Sequence, residues 1–468
     1  MFKKKTWFRI HSFTGVITGL LLFIICWSGT FAVISNELDW LVTPEVRSQN
    51  QPKVNQPLDW QQVYEAAVEA YPQGKVDWIE KPLYRYSTAQ AVINLPNQKY
   101  VRVYVDPVTF EVVGRYSYLN VQRFFRNFHM NLFLPYTIGS YIVMFFGITL
   151  LISTIAALYF YSRWWRRFFR FNVTANNIWS ELHKLAGLWS LWFILVIAIT
   201  GCWYLFELMR SHIGDGKLVF TGNGEYAVHQ LPQPTSSSSL PMLPINDLIA
   251  TAKSLRPDVD ISTIWFDWGD DEHGPMFYIN GQSHHWLVRD RANQVTLDAR
   301  TGDMIYNQNA SDYPLYWRWS DTADPLHFGN FGGLISKIVW FIFGLFLSGI
   351  ILTGTWLHAQ KLVREKDGRR RNHWLGTGPA IVASLLIVAA SFPFGVQYTQ
   401  EYYGVQVSGE KVFPSLASGV SIVIVAWIIC TLAIIALWCF WLFRFDEKKA
   451  AAISGRGGDV IRTGRTCN

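Results

Sequence analysis

The sequence predicts a mainly α-helical membrane protein: six transmembrane helices built on a duplicated span–domain–span unit, with two small α+β domains outside the bilayer. Three observations carry this. Half of the 468 residues are hydrophobic, 22 are Trp and only 16% are charged, which is the composition of a chain that lives in lipid. Six apolar stretches are long enough to cross roughly 30 Å of hydrocarbon. One histidine motif also recurs. Trp7-x3-His11-x3-Gly15 opens the first stretch, and Trp179-x3-His183-x3-Gly187 opens the third. The interval that carries His11 onto His183 also carries Gly29 onto Gly201.

In chain order, residues 1–34 hold a cytoplasmic N-terminus and span 1 (apolar from Phe13 to Ile34), and 35–138 form a first external domain. Span 2 is 139–160, a cytoplasmic loop is 161–184, and span 3 is 185–206. A second external domain covers 207–333, followed by span 4 at 334–357 and a cytoplasmic loop at 358–376. Residues 377–443 hold span 5 (Thr377–Phe394) and span 6 (Ser418–Phe443), and 444–468 form a cytoplasmic tail. Basic clusters set the orientation. Lys3, Lys4, Lys5 and Arg9 precede span 1; Arg163, Arg166, Arg167 and Arg170 follow span 2. Lys361, Arg364, Lys366 and 369–371 follow span 4, and Arg444, Lys448 and Lys449 follow span 6. All fall on one side, so both termini are expected in the cytoplasm. The net charge of +7 then reflects topology, and no nucleic-acid partner is implied. The apolar run after the basic start is too long for a signal-peptide core, and no small-x-small site follows before Asn36, so a retained first span is expected.

The external segments read as α+β. The first has a helix at Asp59–Tyr71 with Asp59 as N-cap, then strands such as Ala91–Leu95 and Tyr100–Asp106. The second has a helix near Asn246–Leu255 and strands near Ile261–Trp268, Met276–Asn280 and Trp286–Arg289. Alternating apolar residues and turn residues at the ends carry these assignments. Both segments close on a similar hairpin, Asp106-Pro-Val-Thr-Phe-Glu111 and Asp298-Ala-Arg-Thr-Gly-Asp303. A duplicated in–out–in unit keeps its orientation, so its pseudo-two-fold axis runs along the membrane normal. The Pro- and Ser-rich 233–240 reads as a linker. The five cysteines (Cys26, Cys202, Cys430, Cys439, Cys467) lie in spans or the tail, and no CxxC occurs. That removes disulfides from the external domains, together with covalent c-type haem and iron–sulfur clusters of the usual spacing.

A second histidine pair stands at the other face. Phe128-His129-x3-Phe133 precedes span 2, and Leu326-His327-x3-Phe331 precedes span 4. Two symmetry-related pairs, His11 with His183 and His129 with His327, are what two b-type haems need as axial ligands to iron. Gly15 follows His11 by about one helical turn and Gly29 by about five, which puts both on its helical face. There they give a flat macrocycle room beside the backbone. His358 is a rival partner on the cytoplasmic side, and His373 a weaker one. A single interfacial histidine is more often a headgroup-level polar residue; the repetition is what favours ligation. Arg9, Lys184, Arg123 and Arg126 are placed to meet haem propionates, although interfacial arginines commonly snorkel. Asp270–His273 and His284–His285 read as a solvated acidic loop in preference to a metal site.

The span–αβββ–span units, the Leu-His-x3-Gly motif at span 3 and the Asp-x-x-Thr-Gly-Glu-like hairpin resemble the PepSY-associated transmembrane family over about residues 5–360. Phe110 departs from the pattern, standing where the hairpin glycine is expected. The resemblance implies PepSY-like external domains and a bacterial inner-membrane haem protein that reduces ferric siderophore on the periplasmic side. Its electron would come from a cytoplasmic or membrane donor. Two other classes compete: a haem-free PepSY sensor or regulator, and a quinone-linked respiratory cytochrome b. A transporter is disfavoured because the spans carry few charges and no clear break beyond Pro379 and Pro393.

Overall fold

A computed structural model describes residues 3–50, 56–169, 178–212, 241–270, 273–285, 287–364 and 377–456. The 233–240 linker, Trp286, His373, Cys467 and part of the acidic loop before His273 lie outside the described residues. Five helices are long and apolar enough to cross a membrane, or six if one bent pair counts as a span. The five include α6 (Tyr136–Phe160), α11 (Gly333–Arg364), α12 (Thr377–Tyr403) and α13 (Ser418–Arg456). The fifth is α8 (Leu191–His212).

The expected first span is not one straight helix. It divides into α1 (Lys4–Ile17) and α2 (Gly19–Val33), bent by 69° at Thr18. The Thr14 and Thr18 hydroxyls each donate to the carbonyl one turn back, to Ile10 at 2.9 Å and to Thr14 at 2.6 Å. Such back-bonding loosens the helical ladder and bends it. Gly19 lets α11 approach here, because a Cβ would lie 2.7 Å from Thr355 Oγ1. The third span shows an interruption at Ser190, between α7 (Ile178–Trp189) and α8. Ser190 is to His183 as Thr18 is to His11, so both histidine-bearing helices are broken about two turns after the histidine. The sequence reading, which found breaks only near the prolines of span 5, missed both. The bend has a metric effect. A straight helix from His11 to Gly29 would cover about 27 Å, and the bend shortens this to about 22 Å.

Outside the bundle lies a 10-stranded sheet. After α3 (Ser35–Val42) come α4 (Trp60–Ala70), β1 (Lys75–Glu80), β2 (Ala89–Leu95), β3 (Gln98–Val105), β4 (Val112–Ser117) and α5 (Val121–Asn131). The later set is α9 (Ile245–Leu255), β5 (Asp260–Asp267), β6 (Met276–Gln282), β7 (Gln294–Asp298), β8 (Met304–Gln308) and α10 (Leu315–Phe328). The two sets join edge to edge through antiparallel pairing of β1 with β5, in the register Trp78↔Trp265, Ile79↔Ile264, Glu80↔Thr263. A hairpin, β9 (Val405–Val407) and β10 (Glu410–Val412), meets the end of β3 through Gln98↔Val405.

The pleat sorts the faces. Val101, Val103 and Val105 of β3 pack with Ile264, Phe277 and Leu297 under Trp60, Val63 and Ala67 of α4 and Leu248 and Ile249 of α9. The opposite face puts Trp78, Val92 and Tyr118 against the helical bundle. Asp59 caps α4 as expected, accepting from the Gln62 amide at 3.2 Å. The two hairpins share their chemistry. Asp106 Oδ1 accepts from the Val108 and Thr109 amides, and Asp298 Oδ1 from those of Arg300 and Thr301. At the left-handed position Gly302 has φ +77° and Phe110 has φ +59°, so Phe110 holds the glycine conformation at a steric cost. Of the strand expected at Trp286–Arg289, the described residues 287–289 form a turn, and β7 begins at Gln294. The Arg289 side chain leaves the sheet to pair with Asp321 and Asp324, a tertiary demand that overrides the local alternation.

Candidate site: two facing histidine pairs

The structure brings together the pairs the sequence proposed. The His11 and His183 rings, from α1 and α7, have centroids 6.4 Å apart. The His129 and His327 rings, from α5 and α10, are 6.0 Å apart. Each pair takes one histidine from each half of the chain, and the two pairs lie at opposite ends of α2.

Hydrogen bonds hold Nδ1 of all four imidazoles. His11 Nδ1 meets the Ser153 carbonyl at 3.0 Å and the Ser153 hydroxyl at 2.9 Å, and His129 Nδ1 meets the Ile25 carbonyl at 2.9 Å. A carbonyl only accepts, so these two contacts call for a proton on Nδ1. His183 Nδ1 meets Thr353 Oγ1 at 3.1 Å, and that hydroxyl already donates to the Gly349 carbonyl at 2.8 Å. His327 Nδ1 meets Thr200 Oγ1 at 2.8 Å, and Thr200 donates to the Val196 carbonyl at 2.7 Å. Both threonines therefore accept, and again Nδ1 donates. Every ring keeps its Nε2 lone pair for another use. This is how metal-binding histidines are oriented and made more basic.

Glycines shape the surroundings. A Cβ on Gly29 would lie 2.6 Å from His129 Cε1, and one on Gly354 would lie 3.0 Å from His183 Cε1. Gly15 and Gly187, one turn beyond His11 and His183, have no atom within 4 Å of a built Cβ and so border open space. Gly147 and Gly201 let α6 and α8 touch, with a Gly147 Cβ only 2.8 Å from the Gly201 carbonyl carbon.

These features fit a bis-imidazole haem. Each pair offers two imidazoles from separate helices, with ring centroids 6.4 and 6.0 Å apart, that would hold a metal between them. The open flank beside Gly15 and Gly187 would suit a flat ligand. His358 stands on α11 one turn beyond Gly354, the residue that faces His183, and so remains on the face of the inner pair. Other expectations fare differently. Lys184 is engaged by Glu181 at 2.7 Å, while Arg9 is exposed. Arg123 packs on Tyr118, and the Arg126 guanidinium lies 6.0 Å above Phe328, beside His327. His273 pairs with Asp270 at 3.2 Å in the open, and His212 meets Tyr141 Oη at 3.1 Å. No group of three or more metal-binding side chains occurs among the described residues.

The sequence reading missed the partners of Nδ1. One signal was legible: Ser28 and Thr200 are related by the interval that carries His11 onto His183, and each stands just before the glycine, Gly29 or Gly201, related by that interval. Thr200 bonds His327, and Ser28 Oγ lies 3.4 Å from His129 Nδ1.

Fold and site define a multi-pass membrane protein with two layers of facing imidazoles beneath an external sheet. The PepSY-associated TM region family matches residues 8–361, and the chain belongs to it. No curated protein matches the chain.

Proposed function

We propose that the protein is an inner-membrane, di-haem b-type electron-transfer protein that reduces ferric siderophore on the periplasmic side, releasing Fe(II) for uptake. Both termini lie in the cytoplasm in this reading, as the four basic clusters require. One observation supports it: four imidazoles stand in two facing pairs, with ring centroids 6.4 and 6.0 Å apart and every Nδ1 engaged by a hydrogen-bond partner. A bis-imidazole haem supplies reversible one-electron chemistry when bound. The chain's own residues do the rest. His129 and His327 would hold the outer group and His11 and His183 the inner one. The Ile25 and Ser153 carbonyls and the Thr200 and Thr353 hydroxyls fix the rings and raise their donor strength. The overall reaction moves one electron from a cytoplasmic or membrane donor to Fe(III) held by an external chelator. Siderophore oxygens are hard ligands that hold Fe(II) far less well than Fe(III), so reduction alone loosens the metal.

Two measurements test this. A pyridine haemochrome assay on protein purified from haem-replete cells should give two haems per chain; a folded, colourless protein would refute the reading. Protein reduced anaerobically should then reoxidise on adding a ferric siderophore, with Fe(II) captured by a chromogenic chelator. Reoxidation by a quinone alone would move the function to respiratory electron transfer.

A further inference from the structure

The two helices that carry the outer histidines have opposite charge at matching positions. The interval that takes His129 to His327 also takes Arg123 to Asp321 and Arg126 to Asp324. Each histidine is thus preceded, three and six residues earlier, by two cations in α5 and two anions in α10, the nearer of each about one turn away.

Both α10 carboxylates are paired with arginines of the external sheet domain, Asp321 through its Oδ1 alone. Arg289 Nε reaches Asp321 Oδ1 at 2.8 Å, Arg289 Nη1 reaches Asp324 Oδ2 at 2.7 Å, and Arg291 Nε reaches Asp321 Oδ1 at 3.0 Å. Tyr204 donates to Asp324 Oδ1 at 2.7 Å, and Asp321 is completely buried. The α5 cations receive no such answer. Among the described residues neither Arg123 nor Arg126 has a carboxylate within salt-bridge distance. A third cation adds to them: the Arg102 and Arg123 guanidinium carbons lie 4.2 and 4.3 Å from the centre of the same Tyr118 ring. Arg102 is 5% exposed, and its Nε, like that of Arg123, is buried without a hydrogen-bond partner. The nearest carboxylate named by electrostatics at Arg123, Glu80, is engaged by the Trp78 indole at 2.8 Å. Burial, then repulsion from Arg102 and Arg126, holds the Arg123 guanidinium down to about 10. Arg126 is exposed and reaches across from the His129 helix to Phe328 of the His327 helix.

We infer that Arg126, backed by Arg123 and Arg102, is the docking point for a carboxylate of an external anionic metal chelate, so that the outer site is approached from the α5 side. The proposal takes the substrate class of the function above one step further, but the binding event needs no haem. Carboxylates of the haem itself share this chemistry, and the test separates the two sources.

The probe is gallium(III) citrate, redox-inert and anionic, titrated calorimetrically into the full-length protein in detergent without anionic lipid. Removing a charge-assisted contact worth about 1.4 kcal/mol weakens binding about tenfold. Arg126→Glu should therefore raise the Kd at least that much. Arg126→Lys should largely restore affinity, and Lys253→Glu, exposed on α9 at the other face of the sheet, should change nothing. Affinity should fall as salt rises from about 50 mM to about 300 mM. Undetectable binding to the wild type overturns the proposal, and so does an unchanged Kd in Arg126→Glu. If Arg126→Glu displaces haem while gallium binding is unaltered, the carboxylates are the haem's own and the proposal also fails. A colourless protein that binds gallium citrate through Arg126 would instead sink the haem reading and leave this docking site standing.

Discussion

Replacing Gly29 by alanine adds a single methyl group at the point where α2 meets the His129 ring. The added Cβ would lie 2.6 Å from Cε1, 2.9 Å from Nδ1 and 3.1 Å from Nε2 of His129. Ordinary carbon contacts sit at about 3.5–4.0 Å, so the ring must retreat by about 1 Å. It is not free to do so, since its Nδ1 is bound to the Ile25 carbonyl one turn earlier on the same helix as Gly29. Two effects oppose each other in stability. Overpacking costs about 1–3 kcal/mol, while losing a mid-helix glycine returns about 1 kcal/mol. The fold should survive with a net loss of at most about 2 kcal/mol, but a metal–nitrogen bond of about 2.0–2.1 Å does not survive a displacement of about 1 Å. Gly29→Ala should therefore lose the outer haem and keep the inner one, read as one haem per chain by pyridine haemochrome with a halved low-spin difference spectrum. Gly15→Leu is the complementary variant. Outside the glycine's chain neighbours and its own helix backbone, no described atom lies within 4 Å of a Cβ built there. Loss of the inner haem with the fold retained in the thermal melt therefore reports a ligand in the open flank. A Gly29→Ala protein with two haems and an unchanged spectrum would refute the reasoning.

The ligand assignments give a further expectation: His327→Ala should remove one haem of the two, and His183→Ala the other, in separate reduced-minus-oxidised spectra. Asp39 of α3 accepts from the Val121 and Gln122 amides at 2.8 and 2.9 Å and so pins the start of the His129 helix. Asp39→Ala should cost about 1–2 kcal/mol in the thermal melt, as for a lost helix cap. Burial pushes the Asp39 carboxyl up to about 7, so the folded chain holds its proton where the unfolded chain, at about 3.9, has lost it. Its contribution to stability is therefore full below about pH 4 and lost as the pH rises through about 7; Asp39→Asn should flatten the melting temperature between about pH 5 and about pH 8. Phe110 holds a left-handed φ but also packs against the sheet core. In Phe110→Gly the lost burial, up to about 3 kcal/mol, outweighs about 1 kcal/mol of released strain, so denaturant titrations should show a net loss.

Much of this was legible because several relations share one interval. The spacing that relates His11 to His183 also relates Thr18 to Ser190 and Ser28 to Thr200. Apolar length and charge flanks located α6 and α11 and the starts of α12 and α13, although α12 runs on from Phe394 to Tyr403 and α13 from Phe443 to Arg456. Asp59 announced α4. What stayed hidden depends on contacts between distant segments. The bend at Thr18 needs Gly19 against Thr355 of α11, and no local pattern shows that approach. The mistaken strand at Trp286–Arg289 alternates like a strand, but Arg289 answers carboxylates far along the chain in α10. The acceptors of Nδ1 are carbonyls and hydroxyls of helix interiors, residue types that no motif distinguishes from packing.

The seam between β1 and β5 bears on how such a molecule comes to exist as one chain. The first strand of each set meets the other antiparallel about Ile79 and Ile264, which is the kind of contact that two copies of a single unit would make on associating about a two-fold axis. A half-length polypeptide ending after α6 would carry an unpaired β1 edge and two histidines lacking their opposite numbers. Self-association would mend both faults at once, because one rotation that pairs β1 with β1 also sets each imidazole against its twin. Joining the halves removes that open edge, with its risk of off-target pairing, and it frees the two sides to diverge. The arginines of α5 and the aspartates of α10 are a difference that no symmetric dimer of identical chains can hold.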